Sequence, residues 1–551
     1  MCRSKISTRK DVSQIRPDRK TLQWILFSIV LLQPLFDVIT NWLLIINCIN
    51  YISYIRAGLI ILFGISVILY CPKHRIYAII SFCWAVYVAA RYLLAEMLLP
   101  GTGMAETENA FRVMVLPLFT LWLVWLVNEE TEATLDTIWR GALLSMAIIV
   151  VSSLISLLTD TYTRTYSYQL TADSDMVKIG FSGWSYSANA QSIILVVLFG
   201  LLSAPALRSE KAWVLFAYGI SFWLLMYFNG TRTAYYGMLI IPCAILALLV
   251  FRQLILKVEH YKWTSYAVFA AFLLLAVVLK PYSILTIVNT SRQGIINIVS
   301  GVADSLQPTQ LNTGTPAPSA AATNVVESPS AEAVATPSSN PVLPSSPGIG
   351  SDAGMPKWEV DFGNTASWFI IDANEIKRIN DLRAATRYDS RRLDDSVYEY
   401  LSQRSKLTTQ QLVDVRQRQS SFIMAFMHHA DPLRILTGFG KTWFIRTLQS
   451  VESDYAAIYG YYGVLGCVLL FGIIIYVLLM IGRRVDIRKL KRYCTIEIVM
   501  SSLTIVLLLV LAKYSGRVFQ QASVSFYLSL SLAILYGSVT AQQKEIKGCD
   551  Q

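Results

Sequence analysis

Charge is scarce in this chain: only 15% of its 551 residues are Asp, Glu, Lys or Arg, against 54% hydrophobic ones. With a mean hydropathy of +0.48, this excludes an ordinary water-soluble domain. A disulfide framework is missing too. Of the cysteines at positions 2, 48, 71, 83, 243, 467, 494 and 549, only Cys48 lies outside the apolar stretches and their expected cytoplasmic ends, so no bridge staples an external domain. A nucleotide loop is missing as well: GFGKT at 438–442 would need glycine five positions before Gly440, where Ile435 stands. No cleavable leader is expected, because the first apolar run is too long and holds Gln33, Pro34 and Asp37. A metal site is not expected at His428 and His429, since adjacent residues on one helix point about 100° apart.

What the chain has instead is apolar length. Stretches able to cross about 30 Å of hydrocarbon, roughly 17 to 25 residues each, begin near Leu22, Ile55, Ile76, Phe111, Trp139, Ala188, Ala212, Thr233, Tyr266, Tyr455, Ile496 and Val518. The expected fold is therefore an all-α polytopic membrane protein of about twelve transmembrane helices. Basic residues cluster before the first helix and in alternate turns, at Lys73 and Arg75, Arg208 and Lys211, Arg252 to Lys262, and GRRVDIRKLKR from Gly482. The inside-positive rule then places both termini in the cytoplasm. The net charge of +11 sits mostly in those turns and faces membrane lipid, so nucleic acid is not an implied partner.

The expected division is a basic tail (1–20), helices one to nine (21–279), a long external loop (280–454), helices ten to twelve (455–540) and a second tail (541–551). Within the loop, 303–358 is rich in Pro, Ser, Ala and Thr and reads as disordered. Residues 361–440 regain large apolar side chains at helical spacing and read as short helices. Such a loop suits an enzyme at a membrane surface. It leaves a flippase or other secondary transporter as the alternative, although no repeat relates the two helical blocks.

Five arginines, Arg56, Arg91, Arg112, Arg232 and Arg517, fall near the outer helix ends, where the inside-positive rule does not explain them. Guanidinium groups suit the two-point binding of phosphate oxygens, and a cluster of them would hold a lipid diphosphate. The plainer reading is snorkelling or a nearby acid, for example Glu96 or Asp37 for Arg91. Arg232 stands out because FNGTRTAYYG makes a polar turn at a helix mouth. At the entrance of helix ten, Glu452 and Asp454 either cap the helix or supply a general base.

Three features together resemble the O-antigen ligase and O-antigen polymerase family of bacterial membrane glycosyltransferases. They are LLQPLFDVIT in the first helix, the Thr-Arg-Thr turn around Arg232, and LTGFGKT followed by VESDYAAIYGYYGVLG after the largest loop. The resemblance implies a GT-C-like fold in the bacterial plasma membrane and a metal- and cofactor-independent site facing outside. It also implies an undecaprenyl-diphosphate-linked oligosaccharide donor and a saccharide or lipid-linked acceptor. Arg232 matches the arginine expected on the diphosphate, and Arg418, with Arg416 as its rival, matches a second external arginine. Ligases carry a histidine where this chain has Glu452, which points to acid-containing polymerase-like relatives.

Overall fold

The computed structural model describes residues 17–46, 48, 51–70, 75–168, 177–185, 187–209, 211–257, 261–287, 373–405, 415–447, 451, 453–514 and 516–550. The Pro/Ser-rich stretch lies outside them. Nine helices come first: α1 (Arg19–Ile45), α2 (Ile52–Tyr70), α3 (Arg75–Leu98), α4 (Gly103–Glu129), α5 (Thr131–Leu158), α6 (Ala188–Arg208), α7 (Ala212–Asn229), α8 (Arg232–Val250) and α9 (Trp263–Val278). Five shorter ones follow: α10 (Ala373–Ala385), α11 (Ser390–Ser405), α12 (Val415–His428), α13 (Pro432–Thr437) and α14 (Lys441–Thr447). The last three are long: α15 (Asp454–Arg484), α16 (Ile496–Tyr514) and α17 (Ala522–Asp550).

Among the described residues eleven helices are long and apolar enough to cross a membrane, and α9, at 16 residues, is a shorter apolar helix in the expected ninth place. A small antiparallel hairpin, β1 (Tyr166–Tyr168) with β2 (Val177–Ile179), departs from the all-helical pattern. Below, the side carrying α10–α14 is the loop face.

Helices α4, α6 and α17 are buried through most of their apolar cores and form the centre. Phe119 stacks on Phe526 at 4.9 Å, and the Thr120 hydroxyl donates to Ser529 Oγ at 2.9 Å across the α4–α17 seam. The serine-rich stretch of α17 stays helical because its hydroxyls return to the helix's own carbonyls, Ser529 to Ser525 at 3.2 Å and Ser531 to Tyr527 at 2.9 Å. Both of these hydroxyls therefore keep an acceptor in an apolar surround.

The loop-face helices are docked on the membrane helices. The Arg387 amide and the Thr386 hydroxyl donate to Leu98 O, at 2.9 and 3.1 Å. Phe422, Phe426, Phe439, Trp443 and Phe444 form one buried aromatic cluster that reaches Tyr461 of α15. The glycine strings explain how these parts meet. Gly438 (φ +74°) is so close to α15 that a Cβ would lie 2.4 Å from Tyr461 backbone atoms, and one at Gly463 (φ +65°) would lie 2.5 Å from Leu436. Positive φ without a Cβ lets the 438–440 turn lie on the kinked helix. Phe439 N then donates to Gly460 O at 2.9 Å and Gly440 N to Tyr461 O at 3.0 Å.

Candidate functional site

A cleft of about 1020 Å³ opens on the loop face between the loop-face ends of α1, α2 and α4, the 517–523 segment, Lys441 and Val451. Its walls are apolar, with Leu44, Ile60, Ile61, Phe111 and Val115. Its charged groups are Asp37, Arg56, Glu108, Arg112, Lys441 and Arg517. Four cations less two carboxylates leave a formal +2. Both carboxylates are already engaged: Asp37 pairs with Arg56 at 2.8 Å, and Glu108 pairs with Arg112 one turn along α4. Lys441 and Arg517 supply the surplus. Such a surplus in an apolar-walled cleft favours an anion.

Lys441 is aimed by a buried ion pair beneath it. Arg91 and Glu106, each 1% exposed, meet at 3.2 Å. Glu106 also accepts from the Thr442 amide at 3.1 Å and its hydroxyl at 3.2 Å, so it caps α14 directly beside Lys441. Arg91 further donates to Thr437 O and to Tyr461 O, the latter at 3.0 Å. Its guanidinium is thereby committed to holding the 438–440 turn on α15. Its partner is neither Glu96, which accepts from the Gly101 and Gly103 amides at 2.9 and 2.7 Å, nor Asp37. Burial, then the nearby Arg112 and Arg517, push the half-buried Lys441 ammonium below the ordinary lysine pKa, while Glu106 and Asp454 oppose the shift. An anion bound beside Lys441 would reverse it.

Arg517 is held in a left-handed conformation (φ +67°), which is unfavourable for a side chain with a Cβ. Asp454 holds it there. The fully buried carboxylate accepts from the amides of Arg517 (2.9 Å), Val518 (2.6 Å) and Phe519 (2.8 Å) and from Gln520 Nε2 (2.9 Å). With two donors on each oxygen, Asp454 has the partners of an anchor. Arg517 Nη1 reaches Ser187 Oγ at 2.8 Å, at the start of α6.

Arg232 is the first residue of α8 and is exposed. Its turn is set by Gly230, left-handed after α7, and by Thr231, whose Oγ1 accepts from Ala234 N at 3.2 Å. Asn229 of that turn donates to Gln191 Oε1 (3.3 Å) and Ala188 O (3.4 Å). The Arg232 turn and Arg517 therefore share the first turn of α6. Arg232 itself does not line the cleft, and neither do Arg416 and Arg418, which are half-buried on α12. Of the arginines singled out in the sequence, Arg56, Arg112 and Arg517 line the cleft, whereas Arg91 is buried against Glu106. Glu452 falls outside the described residues, though its neighbour Val451 lines the cleft.

One expectation is corrected by geometry. His428 and His429 do not diverge, because α12 ends at His428 and His429 sits in the following bend; both rings reach Glu399 Oε2, each at 2.8 Å. Lys441, Glu106 and Glu108 were not singled out from sequence. A lysine on the expected outer face, unexplained by the inside-positive rule, was the signal available for Lys441.

A bundle of apolar helices, a docked layer of short helices and a cationic cleft where they meet define a polytopic membrane protein equipped to hold an amphiphilic anion. Residues 19–541 match the family model described as O-antigen ligase like membrane protein, and the chain belongs to that family. It is thus a membrane enzyme of cell-surface polysaccharide assembly with a glycosyltransferase-like role. No curated protein and no solved structure matches it.

Proposed function

We propose that the protein transfers or polymerises a saccharide carried on undecaprenyl diphosphate, on the outer face of the bacterial plasma membrane, and that the loop-face cleft holds the donor. The observation that carries this reading is the surplus of Lys441 and Arg517 over the paired acids in a cleft with apolar walls. The diphosphate sits among Lys441, Arg517 and Arg112, and the polyprenyl tail follows Leu44, Ile61 and Phe111. Arg232, beside the same turn of α6 as Arg517 but outside the cleft lining, adds positive charge at the saccharide end of the donor.

In the reaction an acceptor hydroxyl attacks the anomeric carbon, the bond from that carbon to the diphosphate oxygen breaks, and the electron pair leaves with the diphosphate. The cations stabilise that developing charge. Glu452 takes the hydroxyl proton, and Asp454 keeps Arg517 in place. The acceptor is a lipid-linked or polymeric saccharide.

The test uses purified protein in detergent with a mixed pool of undecaprenyl-diphosphate oligosaccharides and no nucleotide, products being followed by mass spectrometry. Longer or transferred glycans are expected, with turnover lowered by roughly tenfold or more, about 1.4 kcal/mol in the barrier, on Lys441→Gln. Intact donor binding without any product would overturn the reading. A second cavity of about 1040 Å³ on the opposite face, lined by Glu132, Arg208, Arg252 and Glu497 among others, is what a flippase would use. In that case vesicle assays would show the lipid crossing without chemistry.

A further inference from the structure

Away from the cleft, three side chains that sequence spacing does not connect meet at one point. Glu399 lies in α11, His428 is the last residue of α12, and His429 follows it. Packing of Tyr400 against Phe422, ring centroids 4.9 Å apart, sets the two helices side by side. His428 Nδ1 and His429 Nε2 both stand 2.8 Å from Glu399 Oε2. One ligand atom from each of the three residues lies within 4.8 Å of the others. The other oxygen, Glu399 Oε1, accepts from Gln403 Nε2 at 2.8 Å, so the carboxylate is oriented from behind. The backbone carbonyl of His429 accepts from Arg392 Nη1 at 3.2 Å, which fixes the bend that turns the second ring inward.

We propose that Glu399, His428 and His429 form a binding site for a divalent transition cation of the zinc class, which clips α11 to the end of α12. Two imidazoles and one carboxylate are the borderline donor set that zinc and its neighbours take. Bonds of about 2.1 Å at tetrahedral angles separate the ligand atoms by about 3.4 Å, so each nitrogen–oxygen separation has to open by about 0.6 Å. Gln403 supplies the outer hydrogen bond that orients a ligating carboxylate. His428, 72% exposed at its side chain, gives the ion an access route and leaves room for water at the fourth position. The role is structural: the clip lies a few residues upstream of α13 and the 438–440 turn that carries Lys441. It stands independently of where the donor binds.

The test is Zn2+ titration by calorimetry on the full chain in detergent, after chelation and with thiols alkylated to silence the free cysteines. Co2+ absorption serves as a spectroscopic readout of the coordination sphere. One ion per chain is expected, with an intense visible Co2+ band. Affinity should fall by more than roughly 100-fold in His428→Ala/His429→Ala and by about tenfold in Gln403→Ala, the scale of a lost outer-sphere partner. Binding should also release protons and weaken in acid, because the ligands coordinate only when deprotonated. The absence of saturable binding, or binding unchanged in the double variant, would overturn the proposal and leave an ion pair only. If the double variant fails to fold, the Gln403→Ala titration decides alone: unchanged affinity there refutes the site.

Discussion

Replacing Asp454 with Asn separates a structural anchor from a chemical base at one position. The carboxylate takes two donors on each oxygen: Arg517 N and Gln520 Nε2 on Oδ1, Val518 N and Phe519 N on Oδ2. Asn keeps one carbonyl oxygen and turns an NH2 toward the other two N–H groups. Two buried donors then lose their acceptor, at about 1–3 kcal/mol each, or roughly 2–6 kcal/mol together. At a factor of ten per 1.4 kcal/mol, the amides of Val518 and Phe519 should exchange with solvent at least roughly 30-fold faster, if they exchange by local opening. Hydrogen exchange with mass spectrometry on peptides spanning 514–522 measures this. Loss of transfer should accompany it, because Arg517 is no longer held at φ +67°. Native exchange in this segment together with abolished transfer would refute the anchor reading and make Asp454 a chemical participant.

Glu106→Gln strands the Arg91 guanidinium in the interior and should destabilise the protein by about 3–5 kcal/mol, whereas Arg91→Met/Glu106→Met should recover part of that loss; thermal unfolding in detergent checks both. Lys441 holds an anion only when protonated. Its lowered pKa in the free protein therefore gives full diphosphate affinity below that pKa and falling affinity as pH rises above it, in a window opening below 10.5. Lys441→Arg should flatten that limb of the binding curve, and an unchanged limb would exclude Lys441. Deletion of residues 307–355 should leave polymer output intact, as measured by glycan gels of complemented cells, because the cleft is built from segments outside it.

Helix positions were legible because hydrocarbon thickness fixes a length that apolar runs must meet. Nine of the twelve starts fall within three residues of the expected ones. Helices α4 and α5 begin eight residues earlier than their apolar windows, at Gly103 and Thr131. Their first two turns carry Glu106, Glu108, Glu132 and Asp136, residues that hydropathy rejects but a helix accepts. Arginines at the outer ends were legible as costly charges, yet their partners were not. Arg91 bonds Glu106 across the α3–α4 turn, and Arg56 pairs with Asp37 on the neighbouring helix. Partner choice depends on which helices pack together. The cleft's surplus cations come from α14 and from the 517 loop, segments that the chain brings together only through the glycine turn and Asp454. The histidine pair was misread because helical spacing holds only inside a helix, and α12 stops between the two rings.

Cross-linking shows whether the donor occupies the loop-face cleft. A photoreactive undecaprenyl-diphosphate saccharide is bound to the purified protein, irradiated, and the labelled peptides are sequenced. Adducts are expected on cleft residues such as Leu44, Ile61 and Phe111, displaced by unlabelled donor and reduced in Lys441→Gln. Displaceable labelling concentrated instead around Trp139 and Ser265 of the opposite cavity, with none in the cleft, would contradict that placement.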